Sequence, residues 1–141
     1  MHKNILQWRF VMIKAGIIGS TGYAGQELVR ILTQHKDAEV VWYGSRSYID
    51  QKYYEVFRNM FQIVDDKCLD DNMDELASKV DVIFTATPQG LCSSLVSEEI
   101  LSKVKIIDLS ADFRIKDVNR YEEWYGIKHQ SPEFIDEAVY G

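Results

Sequence analysis

Apolar runs and helix-like periodicity alternate along the chain. Four runs are typical of buried strands: residues 13–18, 39–43, 80–86 and 104–109. Between them, apolar spacing predicts helices at residues 23–35, 74–78 and 91–101. In the first helix the stripe expected to face the sheet is Ala24, Leu28, Ile31 and Leu32. Strands that alternate with helices and are apolar on both faces indicate a doubly wound α/β (Rossmann-type) parallel sheet with helices on both faces.

Two stretches fall outside this alternation. Residues 46–72 show neither period, but they carry aromatic side chains that a folded domain is expected to bury: Tyr53, Tyr54, Phe57 and Phe61. At the N-terminus, Met12 stands directly before the first predicted strand, where a natural start is plausible. We interpret residues 1–11 as an annotation or expression extension, with a short ordered lead-in as the alternative, and residues 12–141 as one domain.

Composition and charge exclude several classes of function. The chain has 141 residues, of which 46% are hydrophobic and 27% charged, enough for one domain with a core of its own. A net charge of −6 without a Lys/Arg cluster disfavours a nucleic-acid partner. No apolar run approaches the roughly 18–20 residues that span a bilayer, so no membrane partner is expected. Cys68 and Cys92 form neither a disulfide framework nor a metal-site signature, which favours a reduced, cytoplasmic compartment.

Four of the eight glycines fall between residues 16 and 25, after a predicted strand and at the start of a predicted helix. In that context glycine permits a sharp turn, close approach of a pyrophosphate to the backbone, and tight helix–strand packing. The N–H groups of the helix start would face the phosphates, and two hydroxyls could add donors. The predicted cofactor-binding residues are Gly19, Ser20, Thr21, Gly22, Tyr23, Ala24 and Gly25. The spacing differs from G-x-G-x-x-G, so a tight turn without a ligand is the alternative.

The segment after the second predicted strand distinguishes between the two nicotinamide cofactors. An NAD-binding domain usually carries Asp or Glu about 20 residues past the glycine loop, to hold the ribose 2′-hydroxyl. Here the chain has Ser45, Arg46 and Ser47 at that distance. A guanidinium flanked by two hydroxyls suits a dianionic 2′-phosphate, so the sequence favours NADP. The alternative is a solvated arginine in a loop.

Further motifs give the sequence a specific resemblance. Residues 86–90 read ATPQG, residues 108–114 DLSADFR, residues 121–126 YEEWYG and residues 138–141 AVYG. With the loop GSTGYAGQELVRIL, this set resembles the N-terminal part of the N-acetyl-gamma-glutamyl-phosphate reductase family, which is similar to the aspartate-semialdehyde dehydrogenases. The resemblance extends over residues 12–141. SADFR followed by YxxWYG is far more specific than the glycine loop.

The resemblance implies an activity and further site residues. Members of this family are oxidoreductases of arginine biosynthesis in which NADPH reduces an acyl phosphate to an aldehyde, and the full-length enzyme is expected to be a homo-oligomer. A cysteine thiolate displaces phosphate, hydride reduces the thioester and a histidine handles the proton. By the same resemblance, Pro88, Gln89 and Gly90 lie near the nicotinamide, although the family more often has His where Gln89 stands. Ser110 and Arg114 would face the acyl-phosphate substrate, with a salt bridge from Arg114 to Asp112 or Asp117 as the alternative.

The sequence lacks the family's catalytic motif. The G-C-Y-P-T-like stretch that holds the reactive cysteine is absent, and Cys68 and Cys92 both fit structural roles better. We interpret His35 and His129 as surface residues. The chain is therefore expected to be the NADP-binding part of the enzyme, truncated before the catalytic and substrate domain and inactive alone.

Two alternatives remain open at the level of the sequence: a non-catalytic NADP-binding module, and a related reductase of a carrier-linked acyl phosphate in lysine synthesis. Tyr121 and Trp124 are expected to serve core or interdomain packing. The loss of a covering domain predicts an exposed apolar patch near Leu109, Phe113 and Trp124, and a tendency to associate.

Overall fold

Five parallel strands form one sheet in the computed structural model, which describes residues 11–140. Residues 1–10 of the predicted extension and Gly141 lie outside the described residues. The strands are β1 (Ile13–Ile18), β2 (Ala38–Gly44), β3 (Cys68–Leu69), β4 (Val82–Thr85) and β5 (Lys105–Asp108). Their order is β3-β2-β1-β4-β5, and every neighbouring pair is parallel. The prediction of a doubly wound α/β fold is confirmed.

Residues 11–140 form six α-helices, of which the first five lie between strands and the sixth follows β5: α1 (Tyr23–Leu32), α2 (Tyr53–Val56), α3 (Met73–Lys79), α4 (Leu91–Leu95), α5 (Glu98–Lys103) and α6 (Val118–Tyr125). Short 3₁₀ turns occupy Arg58–Met60 and Pro132–Phe134. Within residues 11–140, no helix has both the length and the apolar character needed to cross a membrane.

Two hydrophobic cores lie on opposite faces of the sheet. Successive residues of a strand point to opposite faces, and accordingly Ile17 belongs to one core and Ile18 to the other. The first core packs α1 and α2 on the sheet, with Tyr53 fully buried. The second packs α3 and α5, with Leu76 and Ile100 buried at its centre. Burial on both faces explains why β1 and β4 lack polar alternation, whereas the edge strand β5 has no fully buried residue.

The face of α1 that meets the sheet differs from the predicted one. The buried residues are Gly25, Val29 and Leu32, whereas Ala24 and Ile31 are exposed. A Cβ atom at Gly25 would lie 2.0 Å from the carbonyl oxygen of Gly19, so the helix backbone rests directly on the loop at this residue. That contact rotates the buried face by one residue, which a count of apolar side chains does not detect.

Other predictions from the sequence also need correction. The helix expected at residues 91–101 is interrupted, because Val96 is extended and the Ser97 hydroxyl accepts from the Ile100 N–H to begin α5. Residues 46–72 contain α2 and the short strand β3, which pairs with β2. In the same stretch Phe61 is 59% exposed, so the expectation that all four aromatic residues are buried is wrong for Phe61. Helix α6 has no counterpart in the predicted pattern, although the Asp117 side chain caps its start.

Candidate functional site

The predicted site segments gather at the carboxyl ends of the strands. In the sheet, β1 lies between β2 and β4, and the direction of the strand order reverses between β1 and β4. A crevice therefore forms between the carboxyl ends of these two strands. The Ala86 N–H donates to the Ile18 carbonyl at 2.9 Å, and this bond places the start of the 86–90 loop beside the glycine loop. On the other side, the hydroxyls of Thr21 and Ser45 lie 2.9 Å apart. The glycine loop therefore lies between the 45–47 and 86–90 segments.

The three glycines of the loop have different structural roles. Gly19 has a φ of +80°, and a Cβ there would lie 2.2 Å from the Ala86 carbonyl oxygen, so both the turn and the close packing require glycine. Gly25 is required by its contact with the Gly19 carbonyl oxygen. At Gly22 the backbone is ordinary, with φ −76° and ψ 174°, and the nearest atom to an added Cβ lies 3.6 Å away. The fold itself gives no reason for glycine at residue 22, whereas close approach of a ligand to the backbone does.

The start of α1 is suited to an anion. Gly22 is the N-cap residue and supplies no side-chain cap, and the first turn carries no acidic side chain. Within the described residues, no acceptor bonds the N–H groups of Tyr23 and Ala24. Both residues are exposed, so these donors and the positive end of the helix dipole are accessible to an anion. The arrangement fits a pyrophosphate.

The hydroxyls of the glycine loop are already engaged in the structure. Ser20 is fully buried and its hydroxyl donates to the Gly44 carbonyl at 3.0 Å, while the Tyr53 hydroxyl donates to the Ser20 carbonyl at 2.7 Å. The Thr21 hydroxyl is hydrogen-bonded to the hydroxyl of Ser45, and Ser45 is also buried. These bonds join the glycine loop to the end of β2 and to Tyr53.

A buried hydroxyl beside the loop has no partner. The Oγ1 atom of Thr87 is buried and makes no hydrogen bond with any described residue. The Thr87 side chain adjoins Gly19, since an added Cβ at Gly19 would lie 3.4 Å from its Cγ2. A buried polar atom without a partner costs about 1–3 kcal/mol, so its place at the crevice calls for a functional reason. Thr87 was not among the predicted site residues.

Arg46 lies at the end of β2, as the sequence predicted, but with a carboxylate beside it. Its Nε atom donates to Oδ2 of Asp71 at 2.7 Å, and its side chain is mostly exposed. Ser47 is exposed next to it. Asp71 follows β3, and because β3 pairs with β2 the two residues meet at the same edge of the sheet. No local pattern in the sequence could reveal this pair, since 25 residues separate its members.

The predicted substrate residues line an open groove of about 880 Å³ along the free edge of β5. Ser110, Arg114 and Gln89 all contribute to its lining. The Ser110 hydroxyl donates to Asp108 at 2.8 Å, so it belongs to a turn after β5. Arg114 is exposed, and the ion pairs of the described residues do not include it, so the alternative of a salt bridge to Asp112 or Asp117 is wrong. The guanidinium is available to an anion in the groove.

Asp112 is fully buried and joins the 86–90 loop to the SADFR segment. Its carboxylate accepts from the N–H of Gly90 at 2.7 Å, the N–H of Ser93 at 2.8 Å and the hydroxyl of Tyr121 at 2.7 Å. Burial alone would raise the pKa of Asp112, but these donors outweigh it and hold the pKa below its ordinary value. The carboxylate therefore stays ionised at neutral pH. Burial and the bond to Asp112 together raise the pKa of Tyr121.

His129 is buried, so the prediction of a surface histidine is wrong for this residue. Its Nε2 lies 2.6 Å from the Asp112 carbonyl oxygen, and its Nδ1 accepts from the Ser131 N–H at 3.2 Å. The ring packs edge-on against Phe113 and Tyr121. Both ring nitrogens are thus used inside the fold. His35, in contrast, is exposed as predicted.

Neither cysteine is placed for nucleophilic chemistry. Cys68 and Cys92 are free and fully buried. Burial raises the pKa of both thiols, and at Cys92 the carboxylate of Asp108 adds to the effect. This burial agrees with the structural role expected for both residues, which stays a prediction.

The predicted apolar patch is present in part. Leu109 is half exposed and Trp124 is 76% exposed, whereas Phe113 packs on the His129 ring and is partly covered. Tyr121 is a core residue, as expected.

Comparison with known proteins identifies the family of this chain. The model of the semialdehyde dehydrogenase NAD-binding domain matches residues 14–141. The N-acetyl-gamma-glutamyl-phosphate reductases of Lachnoclostridium phytofermentans and Lachnospira eligens are 76% and 74% identical over 130 residues, which is 92% of this chain but 38% and 37% of their own lengths. The enzyme of that name from Heliobacterium modesticaldum is 43% identical over the same length. The chain thus spans less than two fifths of these relatives.

A solved structure supports the fold. The aspartate semialdehyde dehydrogenase of Candida albicans, determined with NADP, has a TM-score of 0.57 and 18% identity, over 76% of this chain and 32% of that chain. Its likeness concerns the arrangement of strands and helices alone. With a family model that matches nearly the whole chain, the assignment is direct: the chain belongs to the family of semialdehyde dehydrogenase NAD-binding domains.

Proposed function

We propose that this chain is the cofactor-binding part of an NADP-dependent N-acetyl-gamma-glutamyl-phosphate reductase, which converts an acyl phosphate to a semialdehyde in arginine biosynthesis. The observation that carries the proposal is Gly22, a glycine with ordinary backbone angles and open space where a Cβ would lie, at an uncapped helix start. Relatives of that name at 76% and 74% identity support the choice of reaction.

The protein groups at the crevice have separable tasks in this proposal. The N–H groups of Tyr23 and Ala24 bind the pyrophosphate, and Gly22 lets it approach the backbone. Arg46 takes the 2′-phosphate at the end of β2, with the hydroxyls of Ser45 and Ser47 beside it. When bound, NADPH supplies the hydride for reduction.

The β4 and β5 side of the crevice serves the reacting end. Pro88, Gln89 and Gly90 flank the nicotinamide, and Gln89 also borders the groove that holds Ser110 and Arg114. The guanidinium of Arg114 binds an anionic group of the acyl-phosphate substrate, either its carboxylate or its phosphate. In this arrangement the substrate would lie next to the nicotinamide end of the cofactor. The same proposal puts the protein in the cytoplasm, where its free cysteines stay reduced.

A second candidate is a non-catalytic NADP-binding module. The burial of both cysteines favours it, because neither thiol reaches a substrate in the groove. This candidate shares the cofactor site and differs only in the chemistry that follows.

A domain exchange separates the two candidates. The corresponding segment of the Lachnoclostridium phytofermentans reductase is replaced by residues 12–141 of this chain, and aldehyde formation from the acyl phosphate is assayed with NADPH. We expect the exchanged enzyme to retain turnover, with NADPH preferred over NADH. A folded exchange protein that binds NADPH and has no turnover, next to an active parent, would favour the non-catalytic module. Failure of the 141-residue chain to bind either nucleotide would reject both.

A further inference from the structure

Asp112 is a charged residue that is fully buried next to the end of the 86–90 loop. Its carboxylate accepts from three donors, and two of them are backbone N–H groups, from Gly90 at the end of the 86–90 loop and from Ser93 in α4. The third donor, the Tyr121 hydroxyl, comes from α6. Removing a carboxylate from water costs free energy unless all its lone pairs are well bonded. Stability alone would therefore favour a neutral residue at this position.

The bonds of Asp112 determine the shape of the 86–90 loop. Gly90 has a φ of +92°, and a Cβ at that residue would meet Ile127 at 3.0 Å, so the end of the loop requires glycine. Because glycine is the residue least restricted by its own side chain, its position depends on its bonds, and the Asp112 carboxylate accepts from the Gly90 N–H. The backbone of Asp112 is itself fixed, because its carbonyl oxygen is bonded by His129.

Asp112 also lies between two groups with different tasks in the proposed function. Gly90 closes the loop assigned to the nicotinamide, and Arg114, two residues beyond Asp112, lines the groove assigned to the substrate. We propose that Asp112 is a positioning residue. It holds the 86–90 loop beside the nicotinamide and fixes the position of this loop relative to Arg114. This inference rests on the proposed function and adds a residue to it.

The test uses the division of the crevice into two halves. The adenosine half of NADPH lies toward Arg46 at the end of β2, whereas the nicotinamide half lies toward Gly90 at the end of β4. In Asp112→Asn, the amide NH₂ group would face a backbone N–H, because donors occupy both carboxylate oxygens. We therefore expect the dissociation constant of NADPH to rise at least about tenfold, since a hydrogen bond to a charged group is lost. The dissociation constant of 2′,5′-ADP, which fills only the adenosine half, should remain unchanged.

The control variant is Asp117→Asn. Asp117 caps α6 from its exposed start, and no hydrogen bond among residues 11–140 joins its side chain to the 86–90 loop. Because Asn caps a helix about as well as Asp, this variant removes a carboxylate while both dissociation constants should stay unchanged. A merely structural role of Asp112 would weaken both ligands together or neither. Equal change in the two constants, or none, in a folded Asp112→Asn protein would overturn the inference.

Tyr121→Phe provides a second route if Asp112→Asn does not fold. This variant keeps the carboxylate and its two backbone donors and removes only the hydroxyl. We expect a loss of a few fold for NADPH alone, and an unchanged ratio of the two constants would overturn the inference. If the unmodified chain binds 2′,5′-ADP but not NADPH, the assignment of the loop to the nicotinamide fails instead.

Discussion

Arg46 is held by Asp71 along one edge of its guanidinium: Nε and Nη2 lie 2.7 Å and 2.5 Å from the same carboxylate oxygen. No described residue bonds Nη1, so the other edge remains open. The pair fixes the cation at the end of β2 before any ligand arrives, which lowers the conformational entropy lost on binding. A 2′-phosphate could then bond the open edge of Arg46 without breaking its contact to Asp71.

The first prediction concerns this cation. In Arg46→Ala, the preference for NADPH over NADH should largely disappear, because a charge-assisted contact contributes roughly 1.5–3 kcal/mol. Calorimetric titration of the chain with each nucleotide measures the ratio. Arg120→Ala removes the same charge from an exposed site on α6 and should leave the ratio as it is. Equal affinities of the unmodified chain for the two nucleotides would contradict the role of Arg46.

The second prediction separates two glycines of the loop. Gly22→Val should fold and melt much like the unmodified chain, because its φ of −76° suits any residue and space is open around it. Dinucleotide binding should nevertheless be lost, since the side chain blocks the approach of the pyrophosphate. Gly25→Val should fail to fold, because its Cβ would lie 2.0 Å from the Gly19 carbonyl oxygen. A Gly22→Val protein that still binds NADPH would remove the pyrophosphate from this loop.

The fold and the place of the crevice could be predicted from local pattern. Four of the five strands and the glycine loop are visible in the sequence because burial on both faces of a parallel sheet leaves long apolar runs. The fifth strand, Cys68–Leu69, has two residues and no period to detect. Helix α6 is not predicted from the sequence because it is mostly polar and Tyr121 is its single buried residue, although Asp117 and Gly126 mark its ends.

The partners of the site residues could not be predicted, because they depend on contacts across the fold. The pairing of Arg46 with Asp71 follows from the pairing of β2 with β3, and the burial of His129 follows from the docking of the segment after α6 on Phe113. Asp112 stands within the SADFR motif, yet the sequence gives no sign that its carboxylate turns toward Gly90. From the sequence, Asp112 enters only as one of two partners, with Asp117, in the alternative of a salt bridge to Arg114, and the ion pairs of the described residues do not include Arg114.

The third prediction concerns Thr87, whose buried hydroxyl has no partner among the described residues. Thr87→Val has nearly the same shape and removes the unsatisfied atom, so the free energy of unfolding should rise by about 1 kcal/mol. NADPH affinity should fall if the hydroxyl serves the cofactor. Thr85→Val is the matched control: its hydroxyl donates to Asp108 at 2.8 Å, and its loss should lower stability. Chemical denaturation and titration measure the two effects, and unchanged NADPH affinity in Thr87→Val would exclude a cofactor role.

The fourth prediction is a pH dependence of stability. The pKa of Asp112 is lower in the folded chain than in the unfolded one, because its hydrogen bonds to Tyr121, Gly90 and Ser93 outweigh burial. The folded chain therefore binds fewer protons, and the contribution of Asp112 is complete above about pH 4 and is lost as the pH falls toward its folded pKa.

The comparison of variants isolates this contribution. Asp112→Asn should be less stable than the unmodified chain at pH 7, and the difference should shrink as the pH falls below about 4. The exposed ion pairs that lower the pKa of Glu27 and Glu99 are present in both proteins and cancel in the difference. Urea denaturation from pH 3 to pH 7 measures it, and a difference that stays constant across this range would contradict the ionised state of Asp112.

The last prediction is that the 141-residue chain binds NADP and has no acyl-phosphate reductase or aldehyde dehydrogenase activity by itself. Hydride transfer in this chemistry needs a thioester, and the thioester needs an accessible thiolate. Cys68 and Cys92 are fully buried, and burial raises the pKa of both thiols, so neither supplies a thiolate at neutral pH. The imidazole of His129 is engaged by the Asp112 carbonyl and the Ser131 N–H, so it is not free to exchange protons with a substrate. The assay combines the purified chain with aldehyde, phosphate and NADP and follows NADPH by absorbance, with a full-length relative as the positive control. Turnover that disappears in Cys92→Ser, a variant that retains its fold, would show that the Cys92 thiol becomes accessible and that its burial does not exclude catalysis.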